Sequence, residues 1–122
     1  MTYDAQRLEK MFDGIHEHRY QQENPVIGVF KSLGEYVRSF EAELDDDHEV
    51  GARLVSFGNA VQIHVHSIGF TAPFLITFSG VTEKGDAVRL IQHVSQLSFL
   101  LVSLKKIADA PYRIGFIWDE AQ

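Results

Sequence analysis

Three histidines in the middle of the chain have a residue type and spacing that could hold a metal ion. His64 and His66 lie two positions apart in a segment of alternating polarity, and His93 ends another such segment. On a strand, two such side chains share one face about 7 Å apart, and one metal can bridge them. A site of His64, His66 and His93, as in a small metal-dependent hydrolase, is therefore one hypothesis. Because no HExxH motif is present and the carboxylates cluster elsewhere, we expect no metal and no cofactor.

A polar sheet face that includes these histidines is a second candidate. Residues 60–66 alternate strictly, which predicts that Val61, Ile63 and Val65 point into the core and that the side chains between them point away. Arginines, histidines and hydroxyls on one surface could bind a small anion or an acidic segment of a partner. A merely solvated face is the alternative interpretation. The face is predicted to contain Arg53, Gln62, His64, His66, Thr77, Ser79, Arg89 and His93.

A dense acidic block is the third candidate. It lacks the spacing of an EF-hand loop, so a Ca²⁺ site is not predicted. The block could occupy a basic groove on another protein, or it could be a solvated helix end. Its members are Glu41, Glu43, Asp45, Asp46, Asp47 and Glu49.

Known catalytic patterns are absent from the sequence. There is no cysteine, Ser95 is not enclosed in a G-x-S-x-G turn, and neither glycine-rich phosphate loop occurs. Ser95 is interpreted as the cap of a helix. The net charge of −6 disfavours nucleic acid and anionic membranes as partners. We therefore expect a binding module for a protein partner rather than an enzyme.

Two helices are predicted before the sheet that positions these residues. Residues 4–18 carry one apolar stripe, Leu8, Met11, Phe12 and Ile15, and residues 19–23 form a polar link. Asn24 and Pro25 are typical of a helix start, and the second helix should continue to about residue 44. Gly28 and Gly34 within it suggest close packing at those positions. Residues 1–23 are thus predicted to be an N-terminal helix and linker.

Residues 24–122 are predicted to form a single α+β domain. Strands are expected at 50–57, 60–68, 74–81 and 87–93, with turns at 58–59 and 83–86. The apolar run at 95–107 predicts a central buried helix, and residues 112–117 predict a fifth strand. The result is an antiparallel meander of four to five strands with helices packed on one face, in the order α-α-β-β-β-β-α-β.

The length and composition are typical of one small globular domain. The chain has 122 residues and no signal-like start or stretch of about 18–20 apolar residues, so a cytoplasmic protein is expected. Small domains often form two-fold dimers, and an open sheet edge invites strand pairing. We therefore expect a homodimer.

Several strings together resemble an uncharacterised small-domain family of bacteria and their phages, a domain of unknown function. They are SFEAELD at 39–45, HEVGARLVSFG at 48–58, LITF at 75–78, LIQHVSQL at 90–97 and RIGF at 113–116. The resemblance covers residues 24–117 and implies that the first helix is an addition to a common core. It brings no activity or site residue, and His66 departs from the acidic residue often found there. The link with phages favours a role as an inhibitor of a bacterial defence complex.

Overall fold

The described residues form a five-stranded antiparallel sheet with a helix packed on one face. The computed structural model describes residues 23–56 and 59–115, so the predicted helix at 4–18 lies outside the described residues. The elements are α1 (Pro25–Ala42), β1 (His48–Ser56), β2 (Asn59–Thr71), β3 (Leu75–Val81), β4 (Ala87–His93), a 3-10 helix (Val94–Gln96) and β5 (Leu100–Lys105). The predicted α+β class and antiparallel sheet are confirmed. No helix within the described ranges is long and apolar enough to cross a membrane.

Helix α1 forms as its sequence predicts. Pro25 takes the first helical position and Asn24 the N-cap, although the Asn24 side chain makes no capping hydrogen bond. The buried face of the helix consists of Val26, Ile27, Phe30, Leu33, Gly34 and Val37. The backbone N–H of Val26 donates to the carbonyl of Pro73 at 3.0 Å, which ties the helix start to the β2–β3 connection. The packing explanation for Gly28 is wrong, because no described atom lies within 4 Å of a Cβ added there.

Strands β1 to β4 form the predicted meander. The order across the sheet is β4-β3-β2-β1-β5, with every neighbouring pair antiparallel. Strand β2 runs three residues beyond its predicted end, to Thr71, and Ala72–Pro73 follows as a cis peptide. The β3–β4 turn falls at 83–86 as expected, with Gly85 at φ +87°. The short β1–β2 connection is residues 57–58, because Ser56 already pairs with Asn59.

The prediction of a central helix at 95–107 is wrong. Only a 3-10 turn forms at Val94–Gln96, and the apolar run continues as the crossover 97–99 and strand β5, which pairs with β1. In this conformation Phe99 and Leu101 pack against the core, and Leu104 is buried on the opposite face. A run in which nearly every residue is apolar is compatible with a buried strand as well as with a buried helix. Its periodicity therefore does not distinguish the two structures.

The predicted strand at 112–117 is also wrong for its described part. Residues 111–115 have no strand conformation, and residues 116–117 lie outside the described ranges. The fifth strand of the sheet is β5 instead, and residues 112–115 are held by hydrogen bonds to carboxylates and carbonyl groups of an earlier part of the chain. The final α-β in the predicted order therefore becomes a 3-10 turn followed by a strand.

The sorting of β2 side chains into two faces largely follows the prediction. Ile63 and Val65 are buried, whereas Val61 remains 49% exposed near the end of the strand. The register of β2 against β3 shifts between Val65 and Ser67, which is a β-bulge at His66. Beyond the bulge the buried positions become Ile68 and Phe70, and the Phe70 ring packs against Phe30 with centroids 4.8 Å apart.

Candidate functional site

The predicted polar face lies on the side of the sheet away from α1, but it divides into regions with different roles. Part of this face carries an open patch, which we define as Ser67, Thr77, Ser79, Arg89 and Ile91. The register aligns Ser67, Ser79 and Arg89 in one row across β2, β3 and β4, and Gly69, Thr77 and Ile91 in the next. These residues line a depression of about 390 Å³. A second depression of about 500 Å³, which includes His66, shares Ser79 and Arg89 with it.

The polar side chains of the open patch have no partner within the described part of the chain. Arg89 and the hydroxyls of Ser67, Thr77 and Ser79 make no hydrogen bond or ion pair with another described residue. Ile91, beside them, is 58% exposed. An arginine surrounded by hydroxyls and an exposed apolar side chain can bind a carboxylate and pack against an apolar group at the same time.

Arg53 and Gln62 belong to a closed network at one end of the face. Arg53 donates from Nε and Nη2 to Gln62 Oε1 at 3.0 and 2.7 Å, and Gln62 Nε2 donates to Glu83 Oε1 at 2.9 Å. The network connects β1, β2 and the β3–β4 turn across their surface. Because Gln62 Oε1 accepts hydrogen bonds from two of the Arg53 guanidinium nitrogens, these residues are already engaged with one another.

His64 is buried, which corrects the prediction that it lies on a wet face. The His64 side chain pairs with Glu49, Nδ1 donating to Oε2 at 2.7 Å, and the residues are 2% and 4% exposed. The side chain of Leu104 fills the space above Gly51, opposite His64, where an added Cβ would lie 2.6 Å from Leu104 Cγ. This apolar cover removes the pair from solvent, so a substrate on the open face does not reach it.

A segment after β5 forms the rest of this cover. The backbone N–H of Tyr112 donates to the second Glu49 oxygen at 3.0 Å, and the Tyr112 ring stacks on His66 with centroids 4.0 Å apart. The Arg113 guanidinium then donates to the carbonyl oxygens of His48 and Asp45 at 2.9 and 2.8 Å. Sequence analysis missed this contribution, because nothing in residues 111–115 indicates which carboxylate would receive their N–H groups.

The acidic block is not one free surface. Glu41 accepts hydrogen bonds from the N–H groups of Ile114 and Gly115 at 2.8 and 3.3 Å, and Glu49 is buried as described. Asp47 pairs with Lys106 at 3.3 Å. Glu43 and Asp46 remain exposed, as does Asp45, whose carboxylate accepts hydrogen bonds from its own loop. Two of the six carboxylates therefore fasten the chain's own residues 112–115, which is an internal role.

Hydrogen bonds within its own loop lower the pKa of Asp45. The hydrogen bond from His48 Nδ1 to Asp45 Oδ1, at 2.6 Å, lowers the pKa of Asp45, and the Asp47 N–H contributes in the same direction. A carboxyl group with a lowered pKa stabilises the fold above its unfolded-state pKa, and this contribution is lost as pH falls through the folded-state value.

Replacement of Asp45 by asparagine should therefore lower the free energy of unfolding near neutral pH and have little effect on it at acidic pH. We expect the urea midpoints of Asp45→Asn and the parent to differ at about pH 6 and to converge as the pH falls through the lowered folded-state pKa of Asp45, below which the aspartate is protonated in both states. Asp46→Asn, which removes a neighbouring exposed carboxylate, is the matched control. An Asp45→Asn difference that stays constant across this range would contradict the assignment.

His93 has a local structural role. Its Nδ1 accepts from the backbone N–H and the hydroxyl of Ser95 at 3.1 and 2.8 Å, and its ring stacks on Phe74 with centroids 5.0 Å apart. The capping assignment is thereby reversed, since His93 caps the 3-10 turn that contains Ser95. His64, His66 and His93 thus have three separate environments. Among the described residues, no group of three or more histidines and carboxylates is arranged to hold a metal ion.

Residues 24–117 match a family model described as "Family of unknown function (DUF6173)". No curated protein and no solved structure matches the chain.

Proposed function

The chain belongs to DUF6173, a family of unknown function, and from its geometry we propose that it is a non-enzymatic module that binds a protein partner through the open patch. The observation that carries the proposal is Arg89, which lies among Ser67, Thr77 and Ser79 and has no partner among the described residues. The chain has a net charge of −6, yet no carboxylate in its described part pairs with this guanidinium. Beside an exposed Ile91, such a guanidinium is suited to a ligand from outside.

The geometry of the histidines favours binding over catalysis. Glu49 and His64 have the chemistry of an acid–base pair, but both are buried and both Glu49 oxygens accept hydrogen bonds from this chain. A general base must come within hydrogen-bonding distance of its substrate, about 3 Å. The pair therefore supports a structural role, and we assign recognition to the open patch instead.

The open patch is also a better candidate than the acidic block. Glu41 and Glu49 accept hydrogen bonds from residues 112–115, so fewer carboxylates of the block are free to contact a basic groove. If the chain acts as an inhibitor of a bacterial defence complex, as the phage link suggests, we infer that the contact is made by the sheet face.

Site-specific photocrosslinking tests this proposal. Benzoylphenylalanine replaces Ile91 in one variant and Tyr36 in the other, because Tyr36 is 71% exposed on α1, away from the patch. After irradiation in an extract of the native host, we expect one protein to be crosslinked from position 91 and not from position 36. The same protein crosslinked only from position 36, or equally from both, would contradict the proposal. Absence of any protein dependent on position 91 would also contradict it.

A further inference from the structure

Strand β4 forms an end of the sheet and has few of the features that protect an edge. Its seven residues pair with β3 without a register shift, and no strand of the described chain pairs with its other side. Natural edges are commonly blocked by lysine, proline or a bulge, and β4 has none of these. Its backbone groups on that side are a template for an added strand.

The register defines what an added strand would meet on the open face. Arg89 ends the row that contains Ser67 and Ser79, and Ile91 ends the row that contains Gly69 and Thr77. Arg89 and Ile91 are two positions apart, the period at which side chains of a pairing strand share one face. An added strand therefore places one side chain beside Arg89 and another, two positions away, beside Ile91.

Charge complementarity identifies the kind of strand. The residues of β4 on this face are Ala87, Arg89, Ile91 and His93, and none carries a carboxylate. If two copies of the chain paired their β4 strands into one continuous antiparallel sheet, residues on the same face of the two strands would lie opposite one another. Arg89 would then face an alanine, arginine, isoleucine or histidine of the second copy. Self-pairing leaves the guanidinium without a counter-charge, whereas an acidic strand supplies one.

We propose that β4 accepts an extended acidic segment of a partner protein as a sixth strand, with a carboxylate beside Arg89 and an apolar side chain beside Ile91. This inference rests on the proposed function and specifies its partner. The main-chain ladder provides affinity in this mode of recognition, and the side chains in the two rows provide specificity.

Binding of synthetic peptides to the full chain tests the proposal. The probe is a fluorescein-labelled peptide rich in threonine, with one glutamate and one valine two positions apart, and fluorescence anisotropy measures its affinity. We expect the matched lysine peptide to bind about tenfold more weakly.

The variant Arg89→Glu should reverse this order, whereas Arg38→Glu, which makes the same charge change on exposed α1 surface, should preserve it. Two N-methylated versions of the acidic peptide, one for each alternate set of backbone amides, complete the test. One of them should not bind, because it lacks the amides that donate to β4.

The outcomes separate this inference from the proposed function. Equal binding of the acidic and lysine peptides, no binding of the acidic peptide, or full binding of both N-methylated peptides would overturn the strand proposal. Self-association that Arg89→Glu abolishes would overturn it in favour of a second copy at this edge. If the peptide tests fail but a partner protein is still crosslinked from position 91, the strand proposal is wrong and the proposed binding function is retained. If circular dichroism shows that Arg89→Glu does not fold, Arg89→Gln replaces it, and the preference for the acidic peptide should then disappear.

Discussion

Replacing His64 by leucine should lower the free energy of unfolding by about 3 kcal/mol, the effect expected when a buried carboxylate loses a hydrogen-bond partner. The Glu49 carboxylate would keep the hydrogen bond from the Tyr112 N–H but lose the one from His64, while Leu104 and residues 112–115 still exclude water. Urea unfolding of the two proteins at neutral pH measures the difference. His66→Leu is the matched control, because His66 is only partly buried and stacks on Tyr112 without a carboxylate partner.

A double-mutant cycle separates the energy of the interaction between Glu49 and His64 from the effect of the volume that the two side chains fill. When Glu49→Leu is combined with His64→Leu, neither buried polar group is left without its partner, so the loss should be smaller than the sum of the two single losses. The change Glu49→Leu also removes the acceptor of the Tyr112 N–H. This loss is the same whether residue 64 is histidine or leucine, so it cancels in the cycle. Strictly additive losses would show that the 2.7 Å contact between His64 and Glu49 contributes no coupling.

Replacement of Gly80 by alanine is the second change with a large expected effect, again a loss of about 3 kcal/mol. A Cβ at this position would meet the carbonyl group of His64, with the carbonyl carbon at 2.9 Å, and Cγ2 of Ile63 at 3.1 Å. Backbone atoms in the middle of β2 cannot move aside as a flexible side chain would. Gly80 pairs with Val65, next to the bulge at His66, so the glycine allows the close approach that the bulge requires.

The control for this prediction is Gly69→Ala. Gly69 lies in β2 on the other side of the bulge, and no described atom is within 4 Å of an added Cβ. We expect its free energy of unfolding to change by less than about 1 kcal/mol, because alanine also restricts the unfolded chain. Equal losses for Gly80→Ala and Gly69→Ala in chemical unfolding would mean that strand propensity, and not the contact with His64, controls both.

The sequence predicted the parts of the fold whose periodicity allowed one interpretation. Helix α1 shows a clear apolar stripe after Asn24 and Pro25, and β2 alternates around the buried Ile63. The bulge also left a signal, because the buried positions of β2 change from odd numbers at Val65 to even numbers at Ile68. Strand β5 could not be recognised, because residues 97–104 are apolar at both the helical and the strand period.

The site was predicted in composition more than in arrangement. The polar face contains Thr77 and Arg89 as expected, since both follow from the alternation of their strands. The burial of His64 could not be predicted, because its cover comes from residues far along the chain whose position depends on β5. The role of Glu41 could not be predicted either. Nothing in the sequence distinguishes its carboxylate from the others of the acidic block, because the N–H group that it binds lies far along the chain.

The pairing of β5 with β1 has a consequence for the order in which the domain can assemble during translation. Strands β1 to β4 are contiguous hairpins, whereas β1 receives its outer neighbour only when residues 100–105 have left the ribosome. Until then a nascent chain presents the unpaired side of β1, and pairings between distant segments form slowly. Premature termination anywhere before β5 would leave that side bare, so such fragments should be the aggregation-prone products of this gene.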